Sequence, residues 1–387
     1  MRLKLLRIIT TGLLLYFVLI SNAFASQDIS SLPSKEMENL DLSQIESYIN
    51  QVDRDVGKYL PDLDLSRMFE DLKQGKLKID LQSFFPGLLN YFWSEILVNI
   101  NLLGILIVLA VLYAVLENIH YAFAENSLSK ITFWVCGLAL LTIALGSFTF
   151  TIGIARETVD KMVSFFNSLL PLLITLIVSV GHFSSAALLN PVTLASTAFF
   201  SNIINQIVIP LIYISSVLFI LDHINDRFKV TYLAKLCKDV SMWIIGLSLT
   251  IYIGILGIQG IAGGVTDGIA LKTAKFATGN FIPVVGGFLS DALETVVGTS
   301  LLIKSGVSMI GMLLIILICI FPMLKILSVV IIYRVAAALV QPFGAKPIAE
   351  ALQTIGNCLL LVFGAVASIA LMLFMALSIM VKVGRPF

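Results

Sequence analysis

The chain has 387 residues, of which 58% are hydrophobic and 13% charged, and its formal net charge is +1. This composition lies outside the range of soluble globular domains, and the near-zero net charge excludes the basic surface of a nucleic-acid-binding protein. Long apolar stretches recur from about residue 96 onward. The lipid bilayer is therefore the solvent for most of the chain, whose backbone must be helical there.

The first 25 residues predict an export signal. Basic residues at the start precede a short apolar run at 8–20. Ala23-Phe24-Ala25 then fits the A-x-A pattern of a signal peptidase site, with cleavage between Ala25 and Ser26. An uncleaved membrane anchor is the alternative. In both cases the residues from Ser26 onward begin on the far side of the cytoplasmic membrane.

Residues 26–92 predict a small extracytoplasmic region of amphipathic helices. They hold 12 of the 24 acidic residues and seven basic ones. Apolar residues alternate at three- and four-residue spacing along one predicted helix: Leu42, Ile45, Ile49, Val52 and Val56. Helices of this size bury little core alone. The region is therefore either a cap packed on the membrane domain or a docking site for a protein across the extracytoplasmic space.

Residues 93–387 predict an all-α, multi-pass membrane domain of about six to eight spans. Most of the candidates are long enough to cross ~30 Å of hydrocarbon. The candidates are 96–116, 131–154, 164–187, 196–221, 240–261, 307–333 and 357–381, with a less apolar one at 276–300.

An offset of 112 residues aligns Pro171 with Pro283 and Pro210 with Pro322 without a gap. Either the chain contains an internal duplication, 160–260 and 272–372, or the prolines coincide by chance in leucine-rich sequence. Under the first interpretation, two proline-interrupted segments correspond to each other, 164–187 and 276–300. Corresponding interrupted segments of this kind are typical of broken or re-entrant helices at a transport site.

The orientation of the spans depends on those two segments. If every candidate spans, the basic segment 222–239 lies outside, whereas the positive-inside rule prefers it in the cytoplasm. If 164–187 and 276–300 are re-entrant, six spans remain and both 222–239 and 334–356 lie inside. Lys382 and Arg385 stay outside in either count.

The sequence contains no pattern that predicts catalysis. The three histidines, His120, His182 and His223, are far apart, and no protease, esterase or nucleotide-binding motif occurs. No Cys/His spacing fits a metal site, and the cysteines fit small buried apolar residues better than disulfides. We therefore expect no enzyme activity, no metal and no cofactor.

Ionisable residues at membrane depth predict a transport or gating path, because a charge in hydrocarbon is costly unless it is paired or hydrated. Asp291 and Glu294 lie one helical turn apart and could meet Lys304 or Lys325. For Lys304 and Arg334, snorkelling to the interface is the preferred interpretation. The candidate path residues are Pro171, Pro283, Gly286, Gly287, Asp291, Glu294 and Lys325.

One stretch carries a family resemblance. Residues 279–294, GNFIPVVGGFLSDALE, resemble the central signature of stage III sporulation protein AE. Two weaker blocks resemble later parts of that family, CIFPMLKIL at 319–327 and ALVQPFG at 338–344. The length, the signal peptide and the multi-pass body also agree. No phrase in the exported region 26–92 matches securely.

The resemblance implies an endospore-forming bacterium. Proteins of this family belong to an operon whose products, with a forespore-made partner, build the channel between mother cell and forespore. The chain would lie in the mother-cell membrane around the forespore, with the other operon products and the forespore-side channel protein as partners. An autonomous small-molecule permease is the alternative. A purely structural anchor is the third hypothesis, under which neutralising Lys325 or changing Pro283→Ala leaves sporulation normal.

Overall fold

The computed structural model describes Ser47 and residues 84–122, 127–224, 229–281 and 286–383. Within these ranges the chain is almost entirely helical and has no strand, which confirms the predicted all-α class. The predicted signal peptide and nearly all of the predicted exported region lie outside the described residues.

Long helices make up the described part of the chain. In order they are α1 (Phe84–Val98), α2 (Ile100–Ala122), α3 (Ser127–Ser179), α4 (Phe183–Ile203), a π-helical turn (Ile204–Val208), α5 (Ile209–Ile224), α6 (Thr231–Phe281), α7 (Gly286–Val340), a 3₁₀ turn (Gln341–Phe343) and α8 (Lys346–Lys382).

Five of the described helical segments are long and apolar enough to cross a bilayer. They are Gly137–Ser179, Phe183–Asp222, Thr231–Gly260, Ile303–Phe343 and Lys346–Lys382. The helix pair Phe85–Val98 and Ile100–Leu116, bent by 41°, makes a sixth when it is counted as one span. The multi-pass architecture is thus confirmed, with five or six spanning elements in the described residues.

The prediction of separate spans at 131–154 and 164–187 is wrong, because α3 is one helix of 53 residues. The polar residues between those segments continue the helix, and Glu157 pairs with Lys161 at 2.8 Å one turn apart. Pro171 lies inside α3 and does not end it. The helix ends before Gly181, whose φ of 89° is the left-handed conformation that glycine adopts readily.

Within the segment 276–300, the described helix α6 ends at Phe281 and the described helix α7 begins at Gly286. Its proline, Pro283, lies outside the described residues. The proposed counterpart, Pro171, lies within α3. The internal duplication stays a prediction.

The antiparallel pair α7 and α8 forms the centre of the bundle and contributes most of the buried core. Gly344, with φ of 90°, allows the tight turn that joins them. Helix α3 packs on this pair at two levels. The Tyr333 hydroxyl donates a 2.8 Å hydrogen bond to the carbonyl of Ala144, and Gly311 contacts the side chain of Leu169.

Helices α5 and α6 form a second hairpin, which polar contacts hold at its turn. Asp222 accepts hydrogen bonds from the backbone N–H of Val230 at 2.8 Å and from the hydroxyl of Thr231 at 2.6 Å. It therefore ties the residue before α6 and the first residue of α6 to the end of α5. The buried Ser215 hydroxyl also donates to the carbonyl of Ala234 at 2.8 Å.

Candidate functional site: a polar stripe on α3

The structure places the predicted path residues in different parts of the bundle. Pro171 and Lys325 are described in full, whereas Pro283 lies outside the described residues. Gly286, Gly287, Asp291 and Glu294 lie in the first turns of α7, but their side chains are outside the described part. The predicted meeting of Asp291 and Glu294 with a lysine therefore stays a prediction.

Lys325 is half-buried and does not lie near Pro171. Its ammonium is 6.0 Å from the ring centroid of the exposed Phe150 on α3, a cation–π contact. From Phe150 to Pro171 the axis of α3 advances about 30 Å. The structure thus brings Lys325 to α3, but to a different level of that helix.

The expectation that Lys304 snorkels to the interface is wrong, because its side chain is only 1% exposed. Its ammonium donates a hydrogen bond to the carbonyl of Val383, directly after the last residue of α8. A cation at this position also interacts favourably with the helix dipole. Arg334 is half-buried and donates to the side-chain oxygen of Asn357 at 3.2 Å. Both cations therefore fasten α7 to α8.

A polar stripe runs along the second half of α3. Every exposed residue between 156 and 179 is polar or a proline, and the stripe consists of Arg156, Glu157, Asp160, Lys161, Ser164, Asn167, Pro171, Thr175 and Ser179. The opposite face is buried and apolar. The first half of α3 instead exposes large apolar side chains: Val135, Leu138, Ile143 and Phe150. The stripe is ~35 Å long, close to the ~30 Å thickness of a bilayer's hydrocarbon core.

The neighbouring helix α4 has the opposite arrangement. Its exposed large residues are apolar, namely Phe183, Leu188, Val192, Leu194 and Phe199, and its buried polar residues are hydroxyl side chains, namely Ser185, Thr193, Ser196, Thr197 and Ser201. An apolar outer surface over buried hydroxyl groups is typical of a helix in lipid. Helix α4 packs on α3, and three of its residues, Ala198, Ser201 and Asn202, lie next to the polar stripe.

A groove of about 530 Å³ opens between the polar stripe and α4. Pro171 lines it, and because proline has no N–H, the carbonyl of Asn167 loses its usual helical donor there. The lining consists of Asp160, Val163, Ser164, Asn167, Ser168, Pro171, Ala198, Ser201 and Asn202. The groove thus offers hydroxyl, amide and carboxylate groups together with a backbone carbonyl.

The π-helical turn fixes one end of this groove. The Asn205 amide donates a 2.7 Å hydrogen bond to Asp160, joining the turn to α3. Pro210 explains the turn, because its ring would clash with the carbonyl of Gln206 in a regular α-helix. The wider turn accommodates that carbonyl, and the N–H of Ile209 bonds the carbonyl of Ile204 instead. Turns of this kind are frequent at functional sites.

Sequence reasoning found Pro171 but missed the charged residues of the stripe, which were assigned to a break between two spans. The sequence does contain a pattern that indicates this polar face of a helix. Polar residues recur every three or four positions from Arg156 to Ser179, while apolar residues such as Phe166 and Leu170 fill the opposite face. Among the described residues, no three His, Cys, Asp or Glu side chains form a group that could hold a metal ion.

Comparison with known proteins identifies the family. The family model described as stage III sporulation protein AE matches residues 63–384. Stage III sporulation protein AE of Bacillus subtilis (strain 168) is 35% identical over 360 residues, which cover 93% of this chain and 90% of the relative. No solved structure matches. The resemblance carried by residues 279–294 is thereby confirmed, and the chain belongs to the stage III sporulation protein AE family, which implies a role in sporulation.

Proposed function

We propose that this chain is a non-enzymatic membrane component of the channel complex that joins mother cell and forespore during endospore formation. Its family membership and its five or six spanning elements support this role. The location would be the mother-cell membrane around the forespore. The partners would be the other membrane proteins of the stage III sporulation operon and the channel protein on the forespore side.

The polar stripe is the observation that carries the proposal. We place the stripe at membrane depth, where it cannot face lipid without a large free-energy cost, because Arg156 would be neither paired nor hydrated there. It suits a helix that borders a path for polar solutes or is covered inside a complex. Pro171 belongs to this path. The other predicted path residues stay part of the proposal: Pro283, Gly286, Gly287, Asp291, Glu294 and Lys325.

The six-span count gives an orientation that agrees with most of the basic residues. If the N-terminal region is exported after cleavage between Ala25 and Ser26, one continuous α3 brings 222–239 and 334–356 to the cytoplasmic side. The positive-inside rule prefers that side for basic residues such as Lys235 and Lys238. A reporter active only in the cytoplasm, fused after Lys238, should be active. An inactive fusion in a stable protein would contradict the six-span orientation.

The test of the channel role combines purification with sporulation assays. A tagged chain purified from sporulating cells should bring the other operon products with it. Asn167→Leu and Thr175→Leu make the polar stripe apolar and should lower the yield of heat-resistant spores. Val192→Leu, on the apolar surface of α4, is the matched control and should leave sporulation normal. Absence of the operon products together with full sporulation of both stripe variants would refute the proposal.

The groove favours a second candidate, an autonomous small-molecule permease. Its volume of about 530 Å³ falls in the range of small-molecule sites, and its lining is mostly polar. The purified chain alone, reconstituted in liposomes, would then take up a polar solute, and Asn167→Leu would lower that uptake. Uptake only in the presence of the other operon products would favour the channel complex.

A further inference from the structure

Two neighbouring parts of the bundle each carry one charged residue within a long uncharged stretch of sequence. Glu95 is the one charged residue of 84–116, which covers α1 and most of α2. Lys325 is the one charged residue of 305–333, within α7. Both stretches belong to elements that are apolar enough to cross a bilayer. A charge in such a stretch is costly unless it is paired or hydrated, so each of the two needs a partner or water.

Glu95 is nearly buried. Its side chain is 9% exposed, and its Oε2 atom is buried without a hydrogen-bond partner among the described residues. A buried carboxylate loses its hydration, and without a partner nothing compensates that loss. Glu95 also lies one turn before Asn99, where the span bends by 41° between α1 and α2. A partner for Glu95 would therefore hold the first half of this bent span.

Helices α1 and α7 run in roughly the same direction. Helix α2 continues α1 after the bend, and α2 and α3 pack antiparallel because residues 123–126 alone join them. Ala144 on α3 contacts Tyr333 on α7. Leu169, later in α3, contacts Gly311, earlier in α7. Helix α3 is thus antiparallel to α7 as well, and α2 is parallel to α7, with α1 differing from it by the bend.

This shared direction puts Glu95 and Lys325 at the same level. The Tyr91 ring on α1 packs edge-on against the Phe321 ring on α7, with the two centroids 4.8 Å apart. Glu95 lies four residues after Tyr91, and Lys325 lies four residues after Phe321. Residues four apart share one face of a helix. One turn beyond the aromatic contact, the acidic and the basic side chain therefore occupy neighbouring faces.

Lys325 is the basic residue of α7 that is available to Glu95. The other two, Lys304 and Arg334, donate hydrogen bonds to residues at the end of α8 or within it. The Lys325 ammonium lies 6.0 Å from the ring centroid of Phe150, and this contact attracts the cation but leaves its charge uncompensated. The four-carbon stem of lysine is flexible, so the ammonium can turn from that ring toward α1.

We propose that Glu95 is the counter-ion of Lys325 and that the two side chains form an ion pair between α1 and α7. The pair neutralises the charge in each apolar stretch and fastens α1 to the centre of the bundle. Because Lys325 is a candidate path residue, Glu95 becomes a positioning residue of the same path. In this respect the inference rests on the proposed function. The pair itself is tested on the purified chain, whether or not a solute crosses the membrane.

The first test is a double-mutant cycle on the unfolding of the purified full-length chain in detergent. Glu95→Gln keeps the shape of the side chain and removes its charge, and Lys325→Met removes the ammonium. Each change alone should lower the folding equilibrium constant by about fivefold or more, because it leaves the other charge unpaired. The double variant should be no less stable than either single variant, so the coupling should also be about fivefold or more.

The control cycle pairs Glu95→Gln with Lys304→Met. Lys304 is also a buried lysine of α7, but it lies about 30 Å from Lys325 along the helix axis. Changes at sites without shared partners usually add, so the coupling in this cycle should stay within about twofold. A first cycle that also stays within about twofold, or two cycles with equal coupling, would overturn the ion pair.

The second test exchanges the two charges. Glu95→Lys places two cations at one level and Lys325→Glu two carboxylates, so each variant alone should accumulate in membranes about fivefold less or worse. The variant with both changes has opposite signs again and should accumulate to within about twofold of the unchanged chain. Replacing Lys325→Glu by Lys304→Glu in that variant should give no recovery.

An exchanged variant that accumulates no better than the two single variants would also overturn the ion pair. The neutral changes of the first cycle keep the pair testable even if a charge-reversed variant does not fold. Neither test depends on the channel role. If the other operon products are absent from the purified chain, the proposed function fails while a coupling between Glu95 and Lys325 still supports the pair.

Discussion

The side-chain amide of Asn205 donates a 2.7 Å hydrogen bond to the carboxylate of Asp160, 45 residues away in sequence. This bond joins the π-helical turn to the charged part of the polar stripe. Because Pro210 accounts for the turn, a proline in one helix sets the position of a carboxylate on another. The groove between α3 and α4 therefore depends on a backbone irregularity that tertiary contacts stabilise.

Loss of this hydrogen bond should weaken the packing of α3 on the π-helical turn. Asn205→Ala removes the amide donor, and we expect the free energy of unfolding to fall by about 1 kcal/mol. Asn202→Ala is the control, since Asn202 is exposed in the same groove one turn away. Thermal or denaturant unfolding of the purified protein measures both. Equal destabilisation by the two variants would show that the bond to Asp160 contributes nothing specific.

Gly311 should not tolerate a side chain. A Cβ at this position would collide with the side chain of Leu169, which is itself buried on α3. Gly311→Ala should lower the free energy of unfolding by about 1–3 kcal/mol, the usual cost of overpacking. Gly364→Ala is the matched control in α8, where a Cβ would meet nothing within 4 Å. A Gly311→Ala variant as stable as the control would contradict the close approach of α3 and α7.

Lys304 should hold the end of α8 in place. Lys304→Met keeps a long unbranched side chain but removes the donor to the carbonyl of Val383, so the last turn of α8 should open more often. We expect faster amide hydrogen exchange around residues 380–383. Lys325→Met is the control, because Lys325 contacts the exposed Phe150 instead. Unchanged exchange in the Lys304 variant would show that the last turn is held by other contacts.

The long apolar helices of this chain could be predicted from sequence because the bilayer demands them, and the structure has five or six helical elements of this kind in the described residues. The joining of 131–154 to 164–187 could not, because the charged residues from Arg156 to Lys161 resemble a loop in composition. They continue a helix because Glu157 and Lys161 pair one turn apart and Val159 and Met162 keep the apolar face continuous.

The different environments of Lys304 and Lys325 could not be predicted from sequence either, because both lysines lie in the same apolar helix. Only the packing of α8 decides that Lys304 is buried, and only the position of α3 places Lys325 beside Phe150. Side-chain burial of this kind depends on which helices are neighbours, and hydropathy along the chain does not contain that information.

A buried pair of hydroxyl groups should couple α4 to α6. The hydroxyls of Thr197 and Tyr252 share a 3.1 Å hydrogen bond, and the ring of Phe200 packs edge-on against Tyr252 at 5.7 Å. Thr197→Val and Tyr252→Phe each remove one hydroxyl group of this bond. Tyr252→Phe keeps the aromatic ring that packs against Phe200. A double-mutant cycle on the free energy of unfolding should give a coupling of about 0.5–1.5 kcal/mol, the range of hydrogen bonds between membrane helices.

The control for that cycle pairs Thr197→Val with Tyr213→Phe. Tyr213 stacks on Phe148 at a centroid distance of 5.9 Å, so it packs in a different contact. Changes at sites without shared partners usually add, so this second cycle should give a coupling near zero. A coupling near zero in the first cycle as well would mean that each hydroxyl finds another partner when the other is removed. The association of α4 with α6 would then rest on the packing of apolar surfaces, including the ring of Phe200 on Tyr252, and not on the buried hydroxyl pair.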